Sequence, residues 1–388
     1  MQTHYDAELK DTVRYLGKTL GETIKNQLGQ EWLDRIEKIR KGGRASYQGD
    51  ATCSEELKET FKTMSDSDLL TVGRAFAQFL NLGNIAEQEY NAAMNVDASI
   101  DTLFEHLDKA ELTKDKVQEA VGKLNIDLVL TAHPTEVTRR TLIHKHKELA
   151  NCLQAVHQES LSDVERKKVE TRIADLIAQA WHTEEIRSVR PTPVDEARWG
   201  FSVIENSLWE AVPDFMRELD DRLNEDYQVS LPLDASPVQF SSWMGGDRDG
   251  NPFVTSKVTE QVLLLARKRA AKLFALDLDR LQVELSMYDC NDALREQVGD
   301  ANEPYRALLR PLVDRFVATR DGISDYLAGK NPDTSNWVNY DEELIEPLML
   351  CYQSLLDCGM QVVANGLLLD TIRRARVFGV HLLRLDVR

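Results

Sequence analysis

Three short apolar or alternating stretches, residues 126–132, 238–244 and 380–387, stand in a chain whose other patterns are almost all amphipathic helix. Each is short enough for a strand, and each runs into polar residues that suit chemistry. The first leads to His133, the second to Gly245, Gly246, Asp247, Arg248 and Asp249, and the third to Asp386 and Arg388. In a parallel α/β barrel the active site lies at the C-terminal ends of the strands, and this arrangement fits that rule. The strand starts are separated by about 110 and about 140 residues, far more than one βα unit, so each crossover must carry large helical insertions. Eight strands at that spacing need roughly 900 residues. The expected fold is therefore mainly α with a partial α/β (TIM-type) barrel, about three of eight parallel strands being present. Residues 1–125 form an N-terminal helical region, and 126–388 form the first part of the barrel, incomplete at its C-terminal end.

The helical background begins with Tyr5, Leu9, Val13, Leu16, Leu20, Ile24 and Leu28, which recur every three or four residues with charges between them. The glycine-rich segment KGGRASYQGD, 41–50, is expected to end the first helical unit, with Gly42 as a C-cap and helix resuming at Glu55. Further helical patterns cover 67–82, 100–107, 114–124, 164–185, 203–223, 258–285, 304–327 and 342–376.

The stretch TAHPTEVTRR, 131–140, follows a run of Ile126, Leu128, Val129 and Leu130 that reads as a strand buried on both sides. Pro134 stops it, and Thr135 is a plausible N-cap for the helix that follows. Arg139 and Arg140 then lie near the positive end of a helix dipole, where cations are mildly unfavourable by roughly 0.3 to 1 kcal/mol. A bound anion resolves that conflict, and so does an ion pair with neighbouring acids. His133 is read two ways with equal weight: as hydrogen-bonded in a packed turn, or as a proton-transfer group that titrates near neutrality. His144 and His146, two apart on a helix, face different directions and make a poor metal pair. Arg187, Arg190 and Arg198 flank the rigid Pro191 to Pro193 segment, which either fixes guanidinium groups or carries ordinary surface ion pairs. In WMGGDRDGNP an EF-hand reading fails, because Pro252 occupies the glycine position and Val258 the last carboxylate position. A structural turn held by Arg248–aspartate ion pairs and a pocket-lining segment both remain open there.

The formal net charge of −18 argues against nucleic acid and anionic membrane surfaces as partners, so an anionic substrate needs a local basic pocket. Five scattered cysteines without a CxxC pair suit reduced thiols inside a cell. The opening MQTHYDAELKD lacks a signal-peptide core, and no apolar run reaches about 18 residues, so a cytoplasmic location is expected.

Taken together, VLTAHPTEVTRRTL, EIRSVRPTPVDEAR, SWMGGDRDGNP and LLRLDVR, in that order, resemble the N-terminal part of bacterial phosphoenolpyruvate carboxylases across essentially the whole chain. The resemblance implies an α/β barrel embedded in helices, a homotetramer, and carboxylation of phosphoenolpyruvate by bicarbonate with Mg2+ or Mn2+, the metal ligands being expected downstream of this chain. It implies a catalytic role for His133 in the carboxyphosphate and carbon dioxide steps and a grip on the substrate phosphate for Arg388. Arg139, Arg140 and Arg187 match a sugar-phosphate activator site found in some members. The chain is accordingly expected to be an N-terminal fragment, inactive alone and with an exposed barrel edge; the alternative is a truncated homologue that acts as a binding or regulatory module.

Overall fold

A computed structural model describes residues 2–94, 100–110, 112–131, 140–157, 161–184 and 191–388. Along the chain these form α1 (Gln2–Leu28), α2 (Gln30–Tyr47), α3 (Ala51–Thr63), α4 (Asp66–Met94), α5 (Ile100–Lys109), α6 (Lys114–Lys123), β1 (Ile126–Leu130), α7 (Arg140–His157) and α8 (Asp163–Trp181). There follow α9 (Pro193–Val203), a π-helical turn at Ile204–Leu208, α10 (Trp209–Tyr227), β2 (Val238–Ser242), α11 (Ser256–Glu284), α12 (Asp292–Val298) and α13 (Pro304–Leu327). The last elements are α14 (Glu342–Asp357), α15 (Gln361–Val363), a second π-helical turn at Ala364–Leu368, α16 (Leu369–Phe378) and β3 (Arg384–Leu385). The fold is mainly helical, with one three-stranded parallel sheet. No helix among the described residues is long and apolar enough to cross a membrane.

The chain divides into two compact units, 1–99 with 137–189, and 100–136 with 190–388. That division differs from the break expected at 125/126, which falls inside the second unit. It follows from the chain leaving the first unit near residue 100 and returning to it with α7 and α8.

In the first unit the helical repeat of α1 places Leu16, Leu20 and Ile24 on one buried face. They share a core with Leu82 and Ile85 of α4, Leu149 and Leu153 of α7, and Ile173, Ile177 and Trp181 of α8. Ser162 and Glu165 form a capping box that starts α8, and the indole of Trp181 donates to the side-chain oxygen of Gln27. The glycine break expected at 41–50 is overturned in part: α2 runs through Gly42 and Gly43 to Tyr47. Packing decides this, because a Cβ at Gly42 would already lie 3.3 Å from Leu57 of α3, so the glycine lets the two helices approach closely. The turn comes later, and Asp50 caps α3 by accepting from Cys53 N at 3.1 Å.

In the second unit an aromatic column ties helices to sheet. Trp209 lies between Phe274, 4.9 Å away edge-on, and Phe378, 5.0 Å away and stacked, and Phe378 stacks on Phe240 of β2 at 5.4 Å. Beside it, Arg374 and Asp277 pair at 3.1 Å with both side chains only 3% exposed. Asp277 also accepts from the Trp209 indole at 3.0 Å, and Arg374 donates to the Trp209 carbonyl at 2.7 Å. Burial pushes the Asp277 carboxyl above its usual range, against the pull of Arg374.

The sheet order is β1-β2-β3, with Leu130 opposite Ser242 and Ser242 opposite Leu385. Two expectations are corrected here. First, β1 is not buried on both sides: Ile126, Leu128 and Val129 are 48%, 47% and 42% exposed, because among the described residues β1 pairs only with β2. Second, the strand expected over 380–387 is reduced to Arg384–Leu385. Its first part turns under the core instead, with Val380, Leu382 and Leu383 buried and Leu382 held at φ 73°. The helix expected over 342–376 is also interrupted after Asp357, and the one over 203–223 starts at the last residue of α9, passes through the π-helical turn at Ile204–Leu208 and extends to Tyr227.

Candidate functional site

Because the three strands are parallel and in register, their C-terminal ends share one edge of the sheet. The segment after β2 turns back over this edge. Gly246 N and Asp247 N both donate to Trp243 O, at 2.9 and 3.0 Å. Gly245 stands at φ 81°, which glycine alone adopts without cost, and a Cβ there would also sit 2.6 Å from Val262. Thr259 of α11 fastens the turn by donating to Gly245 O at 2.8 Å. Asp247 and Asn251 accept from the backbone two residues on, Asp249 N and Phe253 N, each at 3.0 Å, so their carboxylate and amide serve the turn itself. Among the described residues Arg248 makes no ion pair with Asp247 or Asp249, so the ion-pair device expected for this turn gives way to these Asx turns.

The segment after β3 locks onto this turn. Asp386 N donates to Ser242 O at 2.9 Å, Arg388 N to Gly246 O at 3.3 Å, and Arg248 N to Arg388 O at 3.3 Å. Gly246 makes the approach possible, since a Cβ at this position would lie 2.2 Å from the carbonyl oxygen of Asp386. The guanidinium of Arg388 therefore stands at the C-terminal edge of the sheet, its side chain 59% exposed. It lies over the Trp243 ring, 4.7 Å from the centroid, and its Nε donates to Asp386 at 2.8 Å.

Of the other residues singled out in the sequence, His133, Arg139 and Arg187 lie outside the described residues, as do Thr135 and Arg190. Arg140 is the first residue of α7. Arg198 pairs with Asp195 at 3.5 Å on α9, an ordinary i,i+3 surface contact. Pro193 opens that helix behind Thr192, which forms a capping box with Asp195. His144 is exposed on α7. Trp243 and Asp386 are the site residues that sequence reasoning missed in this role. The signal for Asp386 was present: residues two apart on an extended segment share a face, so Asp386 and Arg388 were bound to be neighbours.

Among the described residues no group of three or more histidine, cysteine or carboxylate side chains is placed to hold a metal ion. What the edge offers is a partly exposed guanidinium, fixed by an aromatic face and a carboxylate, in a chain of strong negative charge. Such a group suits recognition of an oxyanion.

The chain is similar to known proteins over nearly its whole length. The family model described as phosphoenolpyruvate carboxylase matches residues 9–388. The chain is 50% identical to a phosphoenolpyruvate carboxylase of Tolumonas auensis over 387 residues, covering 98% of this chain and 44% of that protein. It is 51% identical to the protein of the same name from Aeromonas hydrophila, at 98% and 44% coverage, and 49% identical to that of Salmonella typhi, at 100% and 45%. The chain thus spans less than half the length of the curated relatives it matches. With the family's model matching nearly every residue, this chain belongs to the phosphoenolpyruvate carboxylase family and corresponds to its N-terminal part.

Proposed function

We propose that this chain is the N-terminal part of an enzyme that carboxylates phosphoenolpyruvate with bicarbonate, giving oxaloacetate and phosphate. Family membership supports the reaction, and the observation that carries the site is Arg388, held at the C-terminal edge of the parallel sheet, while the HPT residues follow β1 in the sequence. In this reading a bicarbonate oxygen attacks phosphorus, the bond from phosphorus to the enol oxygen breaks, and carboxyphosphate and the enolate of pyruvate form. Carboxyphosphate then releases carbon dioxide and phosphate, and the enolate carbon takes up the carbon dioxide.

Arg388 presents planar donors to the phosphate oxygens, which gather charge during the transfer. His133, three residues past β1 in the sequence, assists the carboxyphosphate and carbon dioxide steps, its cation holding the departing carboxyl group or managing its proton. A divalent cation, Mg2+ or Mn2+, neutralises phosphate charge in such chemistry. The family resemblance implies that its ligands lie downstream of this chain, so no step of this chain is assigned to the metal.

The edge of β1 that pairs with no strand among the described residues, with Ile126, Leu128 and Val129 exposed, supports a sheet that continues into further strands and closes as a barrel. Assembly as a homotetramer, a cytoplasmic location, an anaplerotic role feeding the tricarboxylic acid cycle, and allosteric control through Arg139, Arg140 and Arg187 complete the proposal. The test is His133→Asn in the full-length protein. Oxaloacetate formation is expected to fall by about two to four orders of magnitude, and unchanged turnover rejects the role of His133. The 388-residue chain by itself is expected to form no oxaloacetate, since phosphoryl transfer needs the complete electrostatic clamp. Oxaloacetate produced by that purified chain refutes this.

A further inference from the structure

We infer that Asp386 and Trp243 are positioning residues that set the guanidinium of Arg388 for an incoming phosphate. This rests on the reading that Arg388 grips the substrate phosphate. A guanidinium carries five N–H donors in one plane. One oxygen of Asp386 takes the Nε–Nη2 edge, at 2.8 Å from each nitrogen, and the Trp243 ring covers one face at 4.7 Å from its centroid. The edge between Nη1 and Nη2 is left for a second, bidentate acceptor. An arginine side chain otherwise loses considerable rotamer freedom when it binds, and these two contacts remove much of that freedom beforehand.

The charge of Asp386 opposes this service. A carboxylate next to a phosphate-binding arginine weakens its field, so the contribution of Asp386 is orientation and not attraction. The backbone under both residues is fixed independently, by the bonds from Asp386 N to Ser242 O and from Arg388 N to Gly246 O. Removing the Asp386 side chain therefore releases the guanidinium and leaves the strand ends in place.

The experiment is steady-state kinetics of the full-length protein, with melting temperatures measured alongside. Asp386→Ala and Trp243→Leu are each expected to raise KM for phosphoenolpyruvate about tenfold, with kcat changed less and melting temperature kept. Asp386→Asn retains an acceptor for Nε, and Trp243→Phe retains an aromatic face, so both are expected to restore KM to within about threefold of the parent. A KM for Asp386→Ala within twofold of the parent overturns the inference, as does an Asp386→Asn variant no better than Asp386→Ala. Arg388→Ala separates the two levels of argument. If it leaves oxaloacetate formation intact, the functional reading fails; if it abolishes activity while Asp386→Ala behaves as the parent, only the positioning role fails.

Discussion

Replacing Gly246 by alanine tests whether the close approach of two strand ends holds the site together. The new methyl carbon would lie 2.2 Å from the carbonyl oxygen of Asp386 and 3.0 Å from Cγ of Leu385. A carbon–oxygen contact settles at roughly 3.3 Å or more, so the 386–388 segment must retreat by about 1 Å. Overpacking of this kind costs about 1–3 kcal/mol. The retreat also strains the reciprocal bonds between Gly246, Arg248 and Arg388, each already 3.3 Å long, at about 0.5–1.5 kcal/mol apiece. The expected loss of stability is therefore about 2–6 kcal/mol, read from equilibrium urea unfolding. Gly250→Ala is the control, since Gly250 stands at φ 65° with open space where its Cβ would go. Its cost is conformational only, about 1–2 kcal/mol. A Gly246→Ala variant no less stable than Gly250→Ala refutes the reasoning, because the contact would then be relieved without moving the strand ends.

Three further outcomes follow from buried or open positions elsewhere. Arg374→Met leaves Asp277, in a site only 3% exposed, with the Trp209 indole and a long 4.0 Å contact to the largely exposed Arg280, and is expected to cost about 3 kcal/mol in urea unfolding; a loss under about 1 kcal/mol contradicts the buried-pair account. Burial pushes the Cys351 thiol up to about 12 from an ordinary 9.0. The unfolded thiol thus ionises first, and its contribution is intact below about pH 9 and is lost towards pH 12, by about 4 kcal/mol in total. Cys351→Val is expected to flatten that part of the stability profile, and native Cys351 should escape iodoacetamide at pH 8 longer than the half-buried thiols of Cys53 and Cys290; labelling of Cys351 as fast as these rejects this. Gly43 lies inside α2 with nothing near the place of a Cβ, so Gly43→Ala should stabilise by about 0.5–1 kcal/mol, and a destabilised variant would contradict the uninterrupted helix.

What the sequence disclosed follows the range of the forces involved. Helices such as α13, expected over 304–327 and found as Pro304–Leu327, are set by local periodicity and by Pro304 at the first turn. The three strand positions were legible for the same reason, as short apolar runs bounded by turn residues. Decisions made by distant packing were not. Gly42 and Gly43 read as a stop signal, yet α2 continues through them because Leu57 of the next helix comes close enough to make a side chain at Gly42 a tight fit. Leu382 belongs to an apolar run that alternates like a strand, but burial under the core holds it in a left-handed turn and leaves β3 only two residues long.

The site divides along the same line. Arg388 was visible as a phosphate grip only through the family resemblance, the GGDRDG turn as a residue type suited to tight backbone, and 140 residues separate Gly246 from Asp386 only along the chain. That the first must be glycine because the second passes over it is a property of the parallel register between β2 and β3, which no local pattern encodes. A sheet edge of this kind fixes backbone positions to within a hydrogen-bond length, whereas a guanidinium at the end of a long flexible side chain needs fixing of its own. Trp243 on one strand exit and Asp386 on another supply contacts to its face and its edge. The orientation of Arg388 is thus set by residues from both strands, so a change that separates β2 from β3 by 1 Å is expected to impair phosphate recognition before it unfolds the sheet.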